Sequence, residues 1–298
     1  MISYKRTAIV QLKHSIFEQA GVQLLVKRED QNHPLVSGNK WWKLKYNLEE
    51  TARQGQETLL TFGGAYSNHL FATAAAAQQL KLRSIGVVRG EKILPLNPTL
   101  QFAVNCGMNL HFVSREMYKR KTEDEFMTTL HEQWGDFYLI PEGGTNDLAV
   151  KGCAEFAGQL ISEASFDYLC LPVGTGGTMA GLINGFGGKK KVIGFPALKG
   201  ARFLEDEIKK FSTQTDWQLV YDYHFGGYAK SNVVLLDFIR WAQNQFNLPL
   251  DYVYTGKMMF GVFDLIKKGF FPAGARILAI HTGGLQASIS DHTAQPGE

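Results

Sequence analysis

From about residue 57 onward, short apolar runs alternate with segments of helical periodicity, and this alternation constrains the fold more than any other feature of the chain. The runs are Thr58–Phe62, Ser84–Arg89, Leu110–Val113, Tyr138–Ile140, Tyr168–Val173, Lys191–Phe195 and Arg276–His281. Helix-like segments fall near 68–80, 97–106, 123–134, 149–164, 178–186, 202–211, 232–246 and 257–268. Strands separated by helices of this length build βαβ units, so the expected class is α/β with mostly parallel sheets flanked by helices. With 298 residues the chain can form two domains or one large α/β unit. It needs neither disulfide nor metal to close its core.

Composition narrows the partners. The formal charge of +3 is small and spread along the chain. The runs Lys119-Arg120-Lys121 and Lys189-Lys190-Lys191 lack the interleaved aromatics of a nucleic-acid platform and read as solvated loops or helix ends. Cys106, Cys153 and Cys170 show no metal-ligand spacing. Such a sparse, odd set fits a reducing cytoplasm, and no metal, nucleic-acid or membrane partner is expected.

In open α/β sheets, ligands bind beyond the carboxyl ends of the strands, so the strand-end loops carry the argument. Phe62–His69 reads Phe-Gly-Gly-Ala-Tyr-Ser-Asn-His before an alanine-rich helix. It is either a plain turn with Ser67 or Asn68 as N-cap, or an anion site at a helix start. Gly174-Thr175-Gly176-Gly177-Thr178 is a nest of amides and hydroxyls suited to a monophosphate. The spacing is wrong for a dinucleotide, and no acidic ribose partner follows, which argues against a nucleotide-binding oxidoreductase. Pro141–Asn146 and His281–Gly284 add further small-residue loops. The segment Ser37–Lys45 reads as an amphipathic helix with exposed lysines, or else Lys40 is a buried amine at the helix start. A neutral lysine facing a phosphate site is what carrying pyridoxal phosphate as an imine requires.

Taken in order, Gly38-Asn39-Lys40, Gly63–His69, Pro141–Asn146, Gly174–Thr178, Tyr254–Lys257 and His281–Gly284 resemble the 1-aminocyclopropane-1-carboxylate deaminase/D-cysteine desulfhydrase family. These are fold type II, tryptophan-synthase-β-like pyridoxal-phosphate enzymes. The resemblance runs from about Val26 to Gly284. It implies a two-domain fold, with 1–43 and 143–298 as the large cofactor-binding domain and 44–142 as the small one. It also implies a homodimer. Lys40 would form the Schiff base and move protons, Gly174 through Thr178 would hold the phosphate, and Asn68 the phenolic oxygen. Ser67 would receive the substrate carboxylate, with Tyr66, Asn68 and His69 beside it. Tyr228 and Tyr254 would flank cofactor and substrate.

Two residues depart from the family pattern: Trp42 stands where arginine is usual, and Tyr66 where glutamine is. Thr255 occupies the position at which the deaminases carry glutamate against the pyridine nitrogen. A hydroxyl there suits β-elimination from an activated amino acid, so a D-cysteine desulfhydrase-like lyase is expected. Aminocyclopropane-carboxylate deamination is the alternative. A catalytically silent cofactor- or amino-acid-binding protein is a third reading.

Overall fold

The computed structural model describes residues 2–286, so the part of the expected large domain at 287–298 lies outside the described residues. The strands are β1 (Ile9–Leu12), β2 (Gln23–Lys27), β3 (Thr58–Gly63), β4 (Arg83–Arg89), β5 (Met108–Val113), β6 (Tyr138–Ile140), β7 (Tyr168–Val173), β8 (Lys191–Pro196), β9 (Trp217–Leu219) and β10 (Arg276–Ile280). The helices are α1 (Ser15–Gln19), α2 (Asn39–Arg53), α3 (Asn68–Leu80), α4 (Pro98–Asn105), α5 (Arg115–Lys119), α6 (Asp124–Trp134), α7 (Asp147–Glu163), α8 (Gly177–Phe186), α9 (Leu204–Lys209), α10 (Val233–Phe246) and α11 (Thr255–Lys267).

Two sheets result, one in the order β1-β2-β10-β7-β8-β9 and one in the order β5-β4-β3-β6. Every pairing is parallel except β1 with β2. The central strands are apolar without alternation because both faces are covered: every residue of β3 is buried. The alanines of α3 (Ala72 and Ala74–Ala77) are buried, and their short side chains let the helix lie close against its neighbours. The boundary expected between residues 43 and 44 falls inside the continuous helix α2. Short elements without strong periodicity, namely β1, β2, β9, α1 and α5, add to those read from the sequence. The 202–211 segment divides into a 3-10 turn at Ala201–Phe203 and α9.

The start of the chain is pinned to α2 and α7 by a buried polar cluster. The Glu29 carboxylate accepts from Thr7 Oγ1 at 2.6 Å, Trp42 Nε1 at 2.8 Å, Asn32 Nδ2 at 2.9 Å and Tyr4 Oη at 3.2 Å. Lys27, fully buried, donates to Glu163 at 2.6 Å and to the Thr7 carbonyl at 2.7 Å. A carboxylate and an ammonium survive burial only when so fully partnered. Among the described residues no helix is long and apolar enough to cross a membrane.

Candidate active site

The carboxyl ends of β3, β7 and β10 and the starts of α2, α3 and α8 converge on one recess. Gly38 sets its first wall. It adopts φ 69°, and a Cβ there would stand 1.8 Å from the Thr282 carbonyl oxygen, so only glycine lets the chain entering α2 lie on the loop after β10. Two residues later, Lys40 projects into the recess and donates to Asn39 Oδ1 at 3.0 Å. Burial lowers its pKa to about 8. Asn39 in turn donates to Thr178 Oγ1 at 2.8 Å, tying α2 to the start of α8.

Lys43 stands on the same face of α2 as Lys40. It is buried, and its Nζ donates to Thr145 Oγ1 at 2.8 Å. Burial, then the neighbouring Lys40 charge, lowers it to about 7. The Thr145 hydroxyl lies 2.6 Å from that of Thr175, inside the glycine-rich loop. In that loop Gly176 takes φ 83° so that α8 can begin directly, and Gly176 and Thr178 line the recess. Among the described residues no Asp or Glu lines the recess. Two amines facing a desolvated space without a carboxylate are costly unless an anion joins them. A helix start, three threonine hydroxyls and two lysines therefore fit a phosphate-bearing group.

The opposite wall belongs to α3. Ser67 caps the helix, its Oγ accepting from the Leu70 amide at 3.2 Å, and also lines the recess. Asn68 rests against Gly284 and accepts from Gln286 Nε2 at 2.5 Å. His69 is buried, with Nε2 2.8 Å from Thr61 Oγ1. The Thr61 hydroxyl donates to the Ile140 carbonyl at 2.8 Å, so it must accept from His69 Nε2–H. That fixes the tautomer and leaves Nδ1 a bare acceptor with no partner among the described residues. Burial first, then Lys40 and Lys43, hold His69 well below the usual imidazole range, so it is neutral. Tyr254 packs against Gly174, and the Tyr228 ring meets it at 6.1 Å and 69°. Burial raises both phenols, which stay protonated.

Lys40, Ser67, Asn68, His69, Gly174, Thr175, Gly176, Thr178 and Tyr254 are thus brought to one recess, whereas Tyr66, Gly177, Tyr228 and Thr255 are not among its lining. Tyr228 packs one ring behind Tyr254. Thr255, expected against the pyridine nitrogen, has its hydroxyl engaged by Asp251. Its hydroxyl donates to Asp251 Oδ2 at 2.5 Å and accepts from the Asp251 amide at 3.0 Å. Thr282, named in the sequence only as part of the His281–Gly284 loop, also brings a hydroxyl to the wall. Asn39, Lys43 and Thr145 were also missed. The three-residue spacing from Lys40 was the available signal for Lys43. Trp42 does not line the recess; it stacks on Phe156 at 4.9 Å and bonds Glu29.

Residues 2–283 match the family described as pyridoxal-phosphate dependent enzyme. The chain belongs to that family. Within it, the chain falls among the 1-aminocyclopropane-1-carboxylate deaminase/D-cysteine desulfhydrase proteins, and pyridoxal 5'-phosphate is its cofactor. A Pyrococcus abyssi relative, provisionally named 1-aminocyclopropane-1-carboxylate deaminase, is 31% identical over 93% of this chain and 88% of its own. The bifunctional D-cysteine desulfhydrase/1-aminocyclopropane-1-carboxylate deaminase of Arabidopsis thaliana mitochondria is 31% identical over 89% of this chain and 73% of its own. The crystal structure of an ACC deaminase homologue superposes with a TM-score of 0.85 and 28% identity, covering 96% of this family member and 92% of that chain.

Proposed function

We propose that this enzyme removes a β-substituent and the amino group from a small amino acid, with D-cysteine as the first substrate. Water is consumed, and pyruvate, ammonia and sulfide are released. The observation that carries this reading is that, among the described residues, no carboxylate lines the recess. Without one, nothing holds a pyridine nitrogen protonated, and the weaker electron sink that results suits loss of a good leaving group. Opening an unactivated ring asks for more.

Bound in the recess, the cofactor supplies the electron sink for a carbanion at the substrate α-carbon. The chain's own residues do the rest. Gly174 through Thr178 and Lys43 hold the phosphate. Lys40 would hold the cofactor covalently, and its free amine would take the α-proton. A pKa of about 8 leaves a useful neutral fraction near neutral pH. Ser67, Asn68 and the first amides of α3 receive the substrate carboxylate, with Tyr66 on the same loop. Neutral His69 offers Nδ1 as an acceptor. Tyr254, protonated, is placed to donate, and Tyr228 buttresses it.

The names of the Pyrococcus and Arabidopsis relatives favour a second reading, deamination of 1-aminocyclopropane-1-carboxylate. One assay separates the two: 2-oxo acid release from D-cysteine, L-cysteine, D-serine and the cyclopropane. Release from D-cysteine supports elimination, and turnover of the cyclopropane alone overturns it. Bound cofactor with no release from any of the four supports a silent binding protein.

A further inference from the structure

Lys257 lies in the first turn of α11, buried, and does not line the recess. Its Nζ donates to the backbone carbonyls of Gly227 at 2.6 Å, His224 at 2.8 Å and Ala197 at 3.4 Å. An ammonium has three N–H donors, and here each has a neutral carbonyl. Among the described residues no carboxylate is within ion-pairing distance of it. Burial lowers its pKa to about 8, so it is still mainly the ammonium at neutral pH, and Asp251 favours that charge through space. A desolvated cation held by converging carbonyl dipoles is the arrangement by which carbonyl cages replace the hydration shell of a monovalent ion.

The loop supplying two of those carbonyls is bent in an unusual way. Phe225, Gly226, Gly227 and Ala229 all have positive φ, at 49°, 91°, 118° and 54°. Phe225 and Ala229 are not glycines, so the conformation needs an outside hold. The residue carried in the middle of this bend is Tyr228. Its ring meets Tyr254, which directly precedes the helix bearing Lys257. One ammonium therefore links both tyrosines.

We infer that the Lys257 ammonium acts as a built-in monovalent cation, fixing the 224–230 loop and through it the Tyr228–Tyr254 pair at the edge of the recess. Lys257 is a positioning residue, since its Nζ touches backbone alone. The link to turnover rests on the proposed function; the cage does not.

The test is hydrogen exchange of the 224–230 amides in cofactor-loaded protein. Wild type, Lys257→Ala and Lys257→Met are compared in potassium, ammonium and tetramethylammonium chloride at equal ionic strength. Alanine leaves a hole for a small cation, methionine fills it without charge, and tetramethylammonium is too large to enter. The expected result is that Lys257→Ala loses protection in tetramethylammonium and regains it in potassium or ammonium. Lys257→Met loses it in all three, and wild type is indifferent to the salt. Protection of Lys257→Ala equal to wild type in tetramethylammonium, or no recovery in potassium and ammonium, overturns the inference. If Lys257→Ala melts too low for exchange, its melting temperature replaces it as the readout. A rise specific to the small cations supports the cage, and no such rise overturns it. Absence of turnover by wild type would remove the proposed function and leave this comparison intact.

Discussion

Lys43 follows Lys40 by one helical turn, and its Nζ donates to Thr145 Oγ1 at 2.8 Å, within a chain of hydroxyls that ends in the glycine-rich loop. This places a second cation where the phosphate is expected. Lys43→Met removes a charge-assisted contact of ~1.5–3 kcal/mol, so cofactor affinity should fall about 10- to 100-fold. Spectral titration of cofactor-free protein measures it. Turnover at saturating cofactor should change much less, because the proposed role of Lys43 is to hold the phosphate and not to move a proton.

The same lysine sets a pH dependence. Its pKa is about 7 in the folded protein against an ordinary 10.5. Between those values the unfolded chain binds the extra proton, so stability rises with pH across that window. The cost of burying the ammonium is complete below about 7 and disappears as pH approaches 10.5. Denaturant unfolding of the cofactor-free protein should therefore show Lys43→Met stabilised relative to wild type at about pH 6, with the difference shrinking by about pH 9. A difference independent of pH would show that Lys43 is not titrating there.

Asp251 organises the start of α11. Its buried carboxylate accepts from the amides of Tyr254 at 2.6 Å, Val253 at 2.8 Å and Thr255 at 2.9 Å, as well as from the Thr255 hydroxyl. Asp251→Ala leaves several buried donors unpaired, and the unfolding free energy should drop by about 3 kcal/mol or more. Thr255→Val, which removes one of the four donors, should cost about 1 kcal/mol. Because Thr255 does not line the recess, it should leave the substrate preference unchanged in the four-substrate assay.

Trp42→Phe separates stability from substrate choice. It preserves the stack on Phe156 and removes the indole N–H held by Glu29 at 2.8 Å. The buried carboxylate then lacks one donor, for an expected loss of about 1–3 kcal/mol in thermal or denaturant unfolding. Cofactor retention and the relative rates on different amino acids should not move.

How much of this was readable in advance depended on whether the signal was local. The β3 run and the α3 alanines declare themselves by period and burial, and the glycine loops announce strand ends. β2 was missed because it ends in Lys27, whose partner Glu163 lies 136 residues away. Only the folded cluster makes that lysine acceptable inside a sheet. Lys40 is singled out by what surrounds it in sequence, and it lines the recess. The direction of Thr255 was not readable, because a threonine after an aspartate four positions back can face a ligand or bond the cap, and only packing decides. Trp42 raised a question about the substrate that the structure redirects to Glu29, away from the recess.

Lys40 and Lys43 both present depressed amines to one recess, at about 8 and about 7, so either could in chemical principle attach the cofactor. Borohydride reduction of the cofactor-loaded protein followed by peptide mass mapping decides between them. The reduced cofactor is expected on Lys40 alone, with no label on that peptide in Lys40→Ala. Label on Lys43 in the unmodified chain, or no covalent label at all, would contradict that assignment.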